Sequence, residues 1–397
     1  MKLTDFFKQA KEGKRIFRNK DVLTDRYFPD KIMHRDEQIK AIAEILSPAL
    51  RLERPSNLFI YGKPGTGKTL VIKYVTKEME KVAKEDNVPL DIIYVNCKMK
   101  KVADTEYRLL AHLIRCFGKR APLLGIPTYE LYRNLFSILD EKERLAILIF
   151  DEIDELVKKT GDNILYNFTR INENLERAKV SIVGISNDIV FVENLDPRVK
   201  SSLGEEEVIF PPYDANQLRD ILWQRAKLAF EPEAISDAVI SKCAAYAARE
   251  HGDARKALDL LRVAGEIAER EGRSKVLEQD VDKALEKLER DRIIEIVKVQ
   301  PIQSKLILLA IINAIEKKGE PIEVGDVYDE YERITEKFKI RPISQRRASD
   351  LISEWDMFGV INARTVSFGK YGRKKEIKLA IPNSIKTKII EVIENSI

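Results

Sequence analysis

The chain has 397 residues, 34% of them charged, but 69 Lys and Arg against 65 Asp and Glu leave a net charge of only +4. This length favours two to four domains over a single core, and such dense, balanced charge is typical of thermophile surfaces. No apolar run reaches the length of a bilayer span, and the charged N-terminus lacks the apolar segment of a signal peptide, so a cytoplasmic protein is expected.

The first elements lead into a loop that can bind phosphate. Residues 1–20 predict a loosely ordered arm rich in Lys and Arg, and residues 35–52 carry apolar positions at helical spacing. An apolar strand at 58–61 then runs directly into the pattern Gly-x4-Gly-Lys-Thr at 62–69, and a further helix follows. A glycine turn before a helix would be the alternative interpretation of this pattern.

The chemistry of polyphosphate binding explains the residue types in this loop. Glycines without a Cβ let backbone N–H groups close around the phosphates, which also lie at a helix N-terminus. Lys68 would reach the β and γ phosphates, and the Thr69 hydroxyl would coordinate Mg²⁺. The residues of the loop that we expect to bind ATP are Gly62, Pro64, Gly65, Thr66, Gly67, Lys68, Thr69 and Leu70.

Alternating strands and helices continue to about residue 210. Short apolar runs at 91–97, 145–150 and 180–186 are separated by helical patterns, which predicts an α/β fold with a parallel sheet buried on both faces. After Pro211 the pattern becomes helical, and the last hundred residues predict three helices and a hairpin, which suggests a winged helix. The predicted divisions are an arm at 1–20, a nucleotide-binding base domain at 21–210, a helical lid at 211–298 and a winged-helix domain at 299–397.

Polar side chains follow two of the predicted strands. Asp151 and Glu152 come directly after the most apolar strand, and Asn187 ends the next one. At the edge where parallel strands end, Asp151 could hold the Mg²⁺ shell, Glu152 could activate a water, and Asn187 could bind that water or the γ-phosphate. Helix capping by the acidic residues and a turn at the asparagine are the alternatives. The scattered cysteines and histidines show no metal-ligand spacing.

Taken together, these motifs resemble the Walker A, Walker B and sensor 1 series of AAA+ ATPases, and the whole chain from about residue 23 is similar to the archaeal origin-recognition and helicase-loading initiators. The resemblance implies that Arg255 is a sensor 2 contact to the γ-phosphate and that Tyr213 and Arg225 touch the nucleotide. It also implies an arginine finger after sensor 1. This chain departs from the family pattern there, because Ser202 stands where the arginine would fall and Arg198 is the remaining candidate.

The basic residues concentrate near the C-terminus. Residues 341–378 contain nine Lys and Arg against four Asp and Glu. A basic helix for the major groove and a basic hairpin tip for the backbone form a DNA-binding arrangement, although a solvated charge run is the alternative. The residues expected to contact DNA are Arg346, Arg347, Lys370, Tyr371, Arg373, Lys374 and Lys375. The resemblance adds Lys119 and Arg120, in a break that resembles the family's initiator-specific helix, although a plain surface loop is the alternative.

The resemblance implies an initiator that uses ATP and Mg²⁺ as a conformational switch, hydrolyses ATP slowly and binds double-stranded origin DNA. The replicative helicase and paralogous initiator subunits are the expected partners, and association with the chromosome is the expected location. A clamp loader, an ATP-gated winged-helix transcription regulator and a protein with a purely structural nucleotide remain alternatives at this point.

Overall fold

The computed structural model describes residues 15–99, 102–121, 125–188, 190–203, 205–367 and 373–396. The chain divides into two compact units, one ending at Val281 and the other beginning at Asp282. The division falls within a long helix, Glu278–Val299. Among the described residues, no helix is both long enough and apolar enough to cross a bilayer.

The first unit alternates strands and helices and then becomes helical. Its elements are α1 (Asp36–Leu46), β1 (Asn57–Tyr61), α2 (Lys68–Glu85), β2 (Leu90–Asn96), α3 (Glu106–Cys116), α4 (Thr128–Leu139), β3 (Arg144–Asp151), α5 (Ile153–Thr160), α6 (Asn163–Thr169), β4 (Ala178–Ser186), α7 (Pro197–Leu203), β5 (Glu205–Ile209), α8 (Ala215–Ala229), α9 (Asp237–Arg249) and α10 (Ala254–Arg270). Short 3-10 turns at Lys20–Leu23, Ser47–Arg51, Ile171–Asn174 and Val192–Asn194 complete it.

The five strands of this unit form a parallel sheet in the order β2-β3-β4-β1-β5. Every residue of β3 is buried, because successive side chains point to opposite faces and helices cover both. Leu148 and Phe150 pack with α3 and α4, whereas Ile147 and Ile149 pack with α1 and α2. The predicted parallel sheet, buried on both faces, is confirmed.

Strand β5 was not predicted from the sequence. It begins with three glutamates, of which Glu206 and Glu207 are exposed, and within residues 206–209 only Val208 is buried. The strand pairs with β1 alone, at the edge of the sheet. Charged residues are common on edge strands, where one side of the backbone has no neighbour, so an apolar run is not a reliable signal there.

The second unit consists of helices around a small antiparallel sheet. After α11 (Glu278–Val299), its elements are α12 (Ile302–Lys318), β6 (Ile322–Glu323), α13 (Val324–Lys337), α14 (Gln345–Met357), β7 (Ile361–Ser367), β8 (Arg373–Leu379) and α15 (Asn383–Glu394). The sheet order is β6-β8-β7. The three helices and the hairpin agree with the predicted winged helix, whereas β6 and the C-terminal helix α15 were not predicted.

One face of helix α14 packs into the core of the second unit, and the opposite face is exposed. Ser344 caps it by accepting a hydrogen bond from the Arg347 N–H. Ala348, Leu351, Ile352 and Trp355 are buried, as the helical spacing predicts, and the Trp355 indole N–H donates to the Ser304 carbonyl at 3.0 Å. The opposite face is therefore exposed.

Candidate functional site

The glycine-rich loop at residues 62–67, which is predicted to bind phosphate, connects the end of β1 to the start of α2. Gly65 and Gly67 adopt left-handed backbone conformations, with φ of +73° and +92°, that favour glycine. Added Cβ atoms would meet Asp253 and Tyr213 there, at 1.8 Å and 2.8 Å respectively. The glycines therefore permit both the turn itself and the close approach of later segments of the chain.

Lys68 lies under this loop and is only 6% exposed. Its ammonium donates to the carbonyls of Gly62 at 2.5 Å and Lys63 at 2.9 Å, and to Asn187 Oδ1 at 2.9 Å. Burial lowers the pKa of Lys68 to about 8, although the Asp151 carboxylate opposes this effect. A bound polyphosphate would supply the negative charge that stabilises this buried ammonium.

Asp151 ends β3 beside the first turn of α2. Its Oδ2 accepts hydrogen bonds from the Thr69 hydroxyl at 2.8 Å and the Tyr94 hydroxyl at 2.5 Å, and its Oδ1 accepts from the Glu152 N–H at 3.0 Å. The sequence therefore predicted the neighbours Thr69 and Asp151 but not Tyr94. Burial and the charge of Asp151 raise the pKa of Tyr94, so this phenol is a stable donor.

Glu152 follows with a left-handed backbone conformation, φ +56°, at the N-terminus of α5. Its carboxylate forms an ion pair with Lys98 at 3.4 Å, and 22% of its side chain is exposed. Left-handed conformations are uncommon outside glycine and often mark functional positions. Lys98 was not predicted from the sequence, because it follows β2 in a part of the chain with no motif of its own.

The helical lid contacts the loop directly. The Ala254 N–H, in the first turn of α10, donates to the Gly65 carbonyl at 3.2 Å. Arg255 is the next residue, and its charge contributes to the environment of Lys68. Asp253 caps α10 by accepting from the Arg255 and Lys256 N–H groups at 2.8 Å and 3.3 Å.

Arg225 on α8 is a buried cation that faces the same cleft. It is only 6% exposed, and its guanidinium lies 4.5 Å from the centre of the Tyr27 ring. Its Nε and Nη1 are buried and have no hydrogen-bond partner among the described residues. Burial lowers its pKa. An unsatisfied buried guanidinium is costly, so the site is suited to an anionic or acceptor-rich ligand.

Arg35 is a third buried cation, beside the loop, and sequence reasoning missed it. Its guanidinium donates to the carbonyls of Thr66 at 2.9 Å and Pro211 at 2.6 Å, and lies 3.8 Å from the centre of the Tyr213 ring. It thus joins the loop to the segment that enters the lid. The only local signal would have been a charged residue at the N-cap of α1, which is too common a feature to indicate a role.

A cavity of about 610 Å³ brings most of the predicted residues together. The predicted residues that line it are Pro64, Gly65, Thr66, Gly67, Lys68, Thr69, Leu70, Asp151, Glu152, Asn187, Tyr213, Arg225 and Arg255. Gly62 contributes the carbonyl that accepts from Lys68 instead. Arg198 does not line the cavity. It lies on α7 with 78% of its side chain exposed and is paired with Asp196 at 3.0 Å.

These residues fit ATP and Mg²⁺. The glycine loop, the buried Lys68 and the unpaired donors of Arg225 suit a polyphosphate, and Mg²⁺ prefers the hydroxyl and carboxylate oxygens that Thr69 and Asp151 present.

The predicted DNA contacts differ in how much of their charge is available. Arg346 is exposed on α14, and none of the described acidic residues pairs with it. Arg347 has ion pairs with Asp350 at 3.8 Å and Glu354 at 3.5 Å.

The basic residues of the wing also differ in the contacts that they make. Lys374 pairs with Glu323 at 2.8 Å, and Lys375 donates to Ser353 at 2.7 Å. Arg373 begins β8, opposite Ser367. Lys370 and Tyr371 lie outside the described residues.

The second predicted contact lies between α3 and α4. Lys119 pairs with Glu141 at 2.7 Å, and Arg120 is exposed. The structure describes no helix at residues 117–121 and 125–127. For these residues, the predicted resemblance to an initiator-specific helix is therefore wrong. Gly118, with φ +74°, turns the chain out of α3.

Comparisons with known proteins match all three parts of the chain. Residues 58–211 match the ATPase family associated with various cellular activities (AAA), residues 219–286 the Cdc6 AAA+ ATPase-type lid domain, and residues 295–388 the CDC6 C-terminal winged helix domain.

Close relatives cover nearly the whole chain. It is 55% identical over 385 residues to the ORC1-type DNA replication protein of Pyrococcus furiosus, covering 96% of this chain and 91% of that one. It is 48% identical over 396 residues to ORC1-type DNA replication protein 1 of Sulfurisphaera tokodaii, covering 100% and 98%. The structure of the Aeropyrum pernix ORC1 protein in complex with DNA matches with 44% identity and a TM-score of 0.84, over 96% of this chain and 97% of that one. The chain therefore belongs to the family of ORC1-type DNA replication proteins, with the AAA+ ATPase, Cdc6 lid and winged-helix domains of that family.

Proposed function

We propose that this replication initiator is an ATP-dependent switch that binds origin DNA and helps to recruit or load the replicative helicase. ATP and Mg²⁺ would bind in the cavity between the sheet edge and the lid. The observation that carries the proposal is the meeting of Lys68, Asp151 and Arg225 in one cleft, because these residues come from the loop, the sheet and the lid.

Different residues of the cleft would bind the phosphates and the metal ion. Backbone N–H groups of the loop and the Lys68 ammonium would hold the β and γ phosphates. The buried Nε and Nη1 of Arg225 would gain acceptors, which none of the described residues provides. Thr69 and Asp151 would hold Mg²⁺, which when bound neutralises phosphate charge and polarises the γ-phosphoryl group.

Glu152 would accept the proton of an attacking water that Asn187 helps to orient. Its ion pair with Lys98 involves Oε2, at 3.4 Å, and competes with the water for this oxygen. This competition favours slow hydrolysis in the isolated protein. We propose Arg198 as the finger that would act on a neighbouring paralogous subunit, in keeping with its exposed position on α7.

Arg255 would connect nucleotide state to the lid. It follows Ala254, whose N–H already holds the loop at Gly65. A γ-phosphate contact from Arg255 would add a charge-assisted bond across the same junction, and its loss on hydrolysis would weaken the hold of the lid.

For DNA, the proposed surface consists of the exposed face of α14 and the wing. The relative from Aeropyrum pernix is described in complex with DNA, which supports this proposal for a chain of the same family. Arg346 would approach base edges, while Arg347, Lys374 and Lys375 would need to exchange protein partners for phosphates. Arg373, Lys370 and Tyr371 at the wing and Lys119 and Arg120 in the base domain complete the proposed contacts.

Footprinting across a genome, with and without nucleotide, tests the proposal. We expect occupancy to cluster at replication start sites, to depend on ATP binding and to fall in a Lys68→Ala variant. Clustering at promoters would refute the initiator role in favour of a transcription regulator. Pull-down of the replicative helicase by the wild-type chain but not by the Lys68→Ala variant would support the loading role, and equal capture by both would contradict its dependence on ATP.

A further inference from the structure

We infer that Tyr94 is a positioning residue that holds the Asp151 carboxylate in place for Mg²⁺, an inference that rests on the proposed binding of Mg²⁺ and ATP. Tyr94 lies on β2, and no motif in the sequence assigns it a role. Its hydroxyl donates to Asp151 Oδ2 at 2.5 Å.

The register of the sheet places Tyr94 where this contact is possible. Strand β2 pairs in parallel with β3, with Tyr94 opposite Ile149 and Asn96 opposite Asp151. The Tyr94 side chain therefore starts two residues before the level of Asp151, and the length of the phenol spans the difference. A shorter polar side chain at this position would not reach the carboxylate.

Three of the four lone-pair positions of the Asp151 carboxylate are occupied by protein donors. Oδ2 accepts from Tyr94 and Thr69, and Oδ1 accepts from the Glu152 N–H. This leaves one position on Oδ1 for the metal shell. The Thr69 hydroxyl can donate its proton to Asp151 and still offer a lone pair to Mg²⁺, so the existing geometry suits a loaded site.

Binding of Mg²⁺ by Asp151 requires a fixed orientation of its carboxylate plane. The terminal torsion of an aspartate is broad, so the backbone alone does not set the direction of the oxygens. Two side-chain hydroxyls fix the direction of Oδ2: Thr69 from the first turn of α2 and Tyr94 from the neighbouring strand β2. The centre of the Tyr94 ring lies 4.2 Å from the Lys73 ammonium. Tyr94 therefore orients the carboxylate from the sheet side, and Thr69 orients it from the helix side.

Removing the phenol oxygen should weaken the metal site and leave the nucleotide pocket intact. Partners of metal ligands typically change metal affinity by about 10- to 100-fold when they are lost. We expect Tyr94→Phe to weaken half-saturation by Mn²⁺ about 10-fold in the presence of ATP. ATP affinity in EDTA should stay within about twofold of wild type. A merely structural role would change both measurements or neither.

The test uses the full chain. Binding of Mn²⁺ in the presence of ATP is followed by electron paramagnetic resonance, Mg²⁺ competes for the same site, and ATP binding in EDTA is measured by calorimetry. Tyr132→Phe is the matched control, because the Tyr132 hydroxyl also donates at 2.5 Å to a carboxylate, Glu106, in the same unit but outside the cleft. We expect this control to bind Mn²⁺ like the wild type.

The outcomes separate this inference from the proposed function. Unchanged Mn²⁺ half-saturation in Tyr94→Phe, with metal-dependent ATP binding in the wild type, overturns the role of Tyr94 alone. A wild-type chain that binds no ATP overturns the proposed function and this inference with it. If Tyr94→Phe fails to fold, Tyr94→Met replaces it, since methionine fills part of the space of the ring without a hydroxyl. Unchanged Mn²⁺ half-saturation in Tyr94→Met then counts against the inference.

Discussion

Replacing Arg225 is the most specific test of the cleft. The substitution should raise the stability of the nucleotide-free protein but lower the stability of the ATP complex. The Nε and Nη1 of Arg225 are buried without partners among the described residues, which costs about 1–3 kcal/mol. The stacking of its charge near Tyr27 returns up to about 2 kcal/mol. Arg225→Met keeps the apolar stem and removes the charge, so the nucleotide-free protein should be about 1 kcal/mol more stable than wild type, within limits of about 1 kcal/mol less and about 3 kcal/mol more.

In the presence of ATP, Arg225→Met should instead make the protein less stable than wild type. Hydrogen bonds from a charged donor contribute about 1.5–3 kcal/mol, so Arg225→Met should bind ATP about 10- to 150-fold more weakly. At ATP concentrations well above both dissociation constants, the stabilisation by ATP should fall by the same 1.5–3 kcal/mol. Thermal unfolding with and without Mg²⁺ and ATP, together with calorimetry, measures both quantities.

The matched control is Arg219→Met, on the same helix. Arg219 is part-exposed and paired with Asp237 at 2.9 Å, and it does not line the cavity. This variant should bind ATP like the wild type. The reasoning is refuted if Arg225→Met destabilises the empty protein by more than about 1 kcal/mol while its ATP affinity is unchanged, since Arg225 would then be a structural residue.

Three further changes test other parts of the molecule. Glu152→Gln should lower single-turnover ATP hydrolysis about 10²- to 10⁴-fold without loss of ATP binding, and an unchanged rate would remove Glu152 as the base. Gly65→Ala should weaken ATP binding strongly, because its Cβ would lie 1.8 Å from a lid carboxylate oxygen. Gly118→Ala is its control, since φ is +74° there but, apart from the chain neighbours, no atom of the described residues lies within 4 Å of the added Cβ. Equal effects of the two variants on ATP affinity would count against the lid contact. Arg346→Ala should weaken binding to preferred duplex DNA by about 1–3 kcal/mol but affect random duplex less, as measured by fluorescence anisotropy. Arg347→Ala, which removes a proposed phosphate contact, should instead weaken binding to both DNAs by a similar amount. Equal losses on both DNAs for Arg346→Ala would mean that it contacts phosphates only.

The sequence predicted those features that depend on short stretches of chain. The phosphate loop follows from glycine geometry and from a lysine at a fixed spacing, and strand β3 follows from an uninterrupted apolar run. The position of Asn187 near Lys68 followed because the carboxyl ends of parallel strands meet at one edge. Each of these inferences uses either local pattern or a general rule of sheet topology.

The features that were missed depend on contacts between distant segments. Arg35 contacts Pro211 although most of the sequence of the first unit lies between them. Tyr94 contacts Asp151 only because β2 and β3 are neighbours in a particular register. A sequence pattern identifies which residues could bind a ligand, but it does not show which of them have unsatisfied donors. Two nitrogens of Arg225 illustrate this, because their lack of a hydrogen-bond partner among the described residues is evident only from the folded structure.

The contacts of the phosphate loop also indicate how the lid can respond to the nucleotide. Two contacts made by protein groups alone join the loop to the lid side: the Ala254 N–H with the Gly65 carbonyl, and Arg35 bridging Thr66 and Pro211. Both use backbone carbonyls, and neither involves a side chain that the γ-phosphate would need. Nucleotide state therefore needs to change only the strength of that junction. A switch of this kind requires differential contacts to the γ-phosphate, and Arg225 and Arg255 are the lid cations that line the cavity to make them.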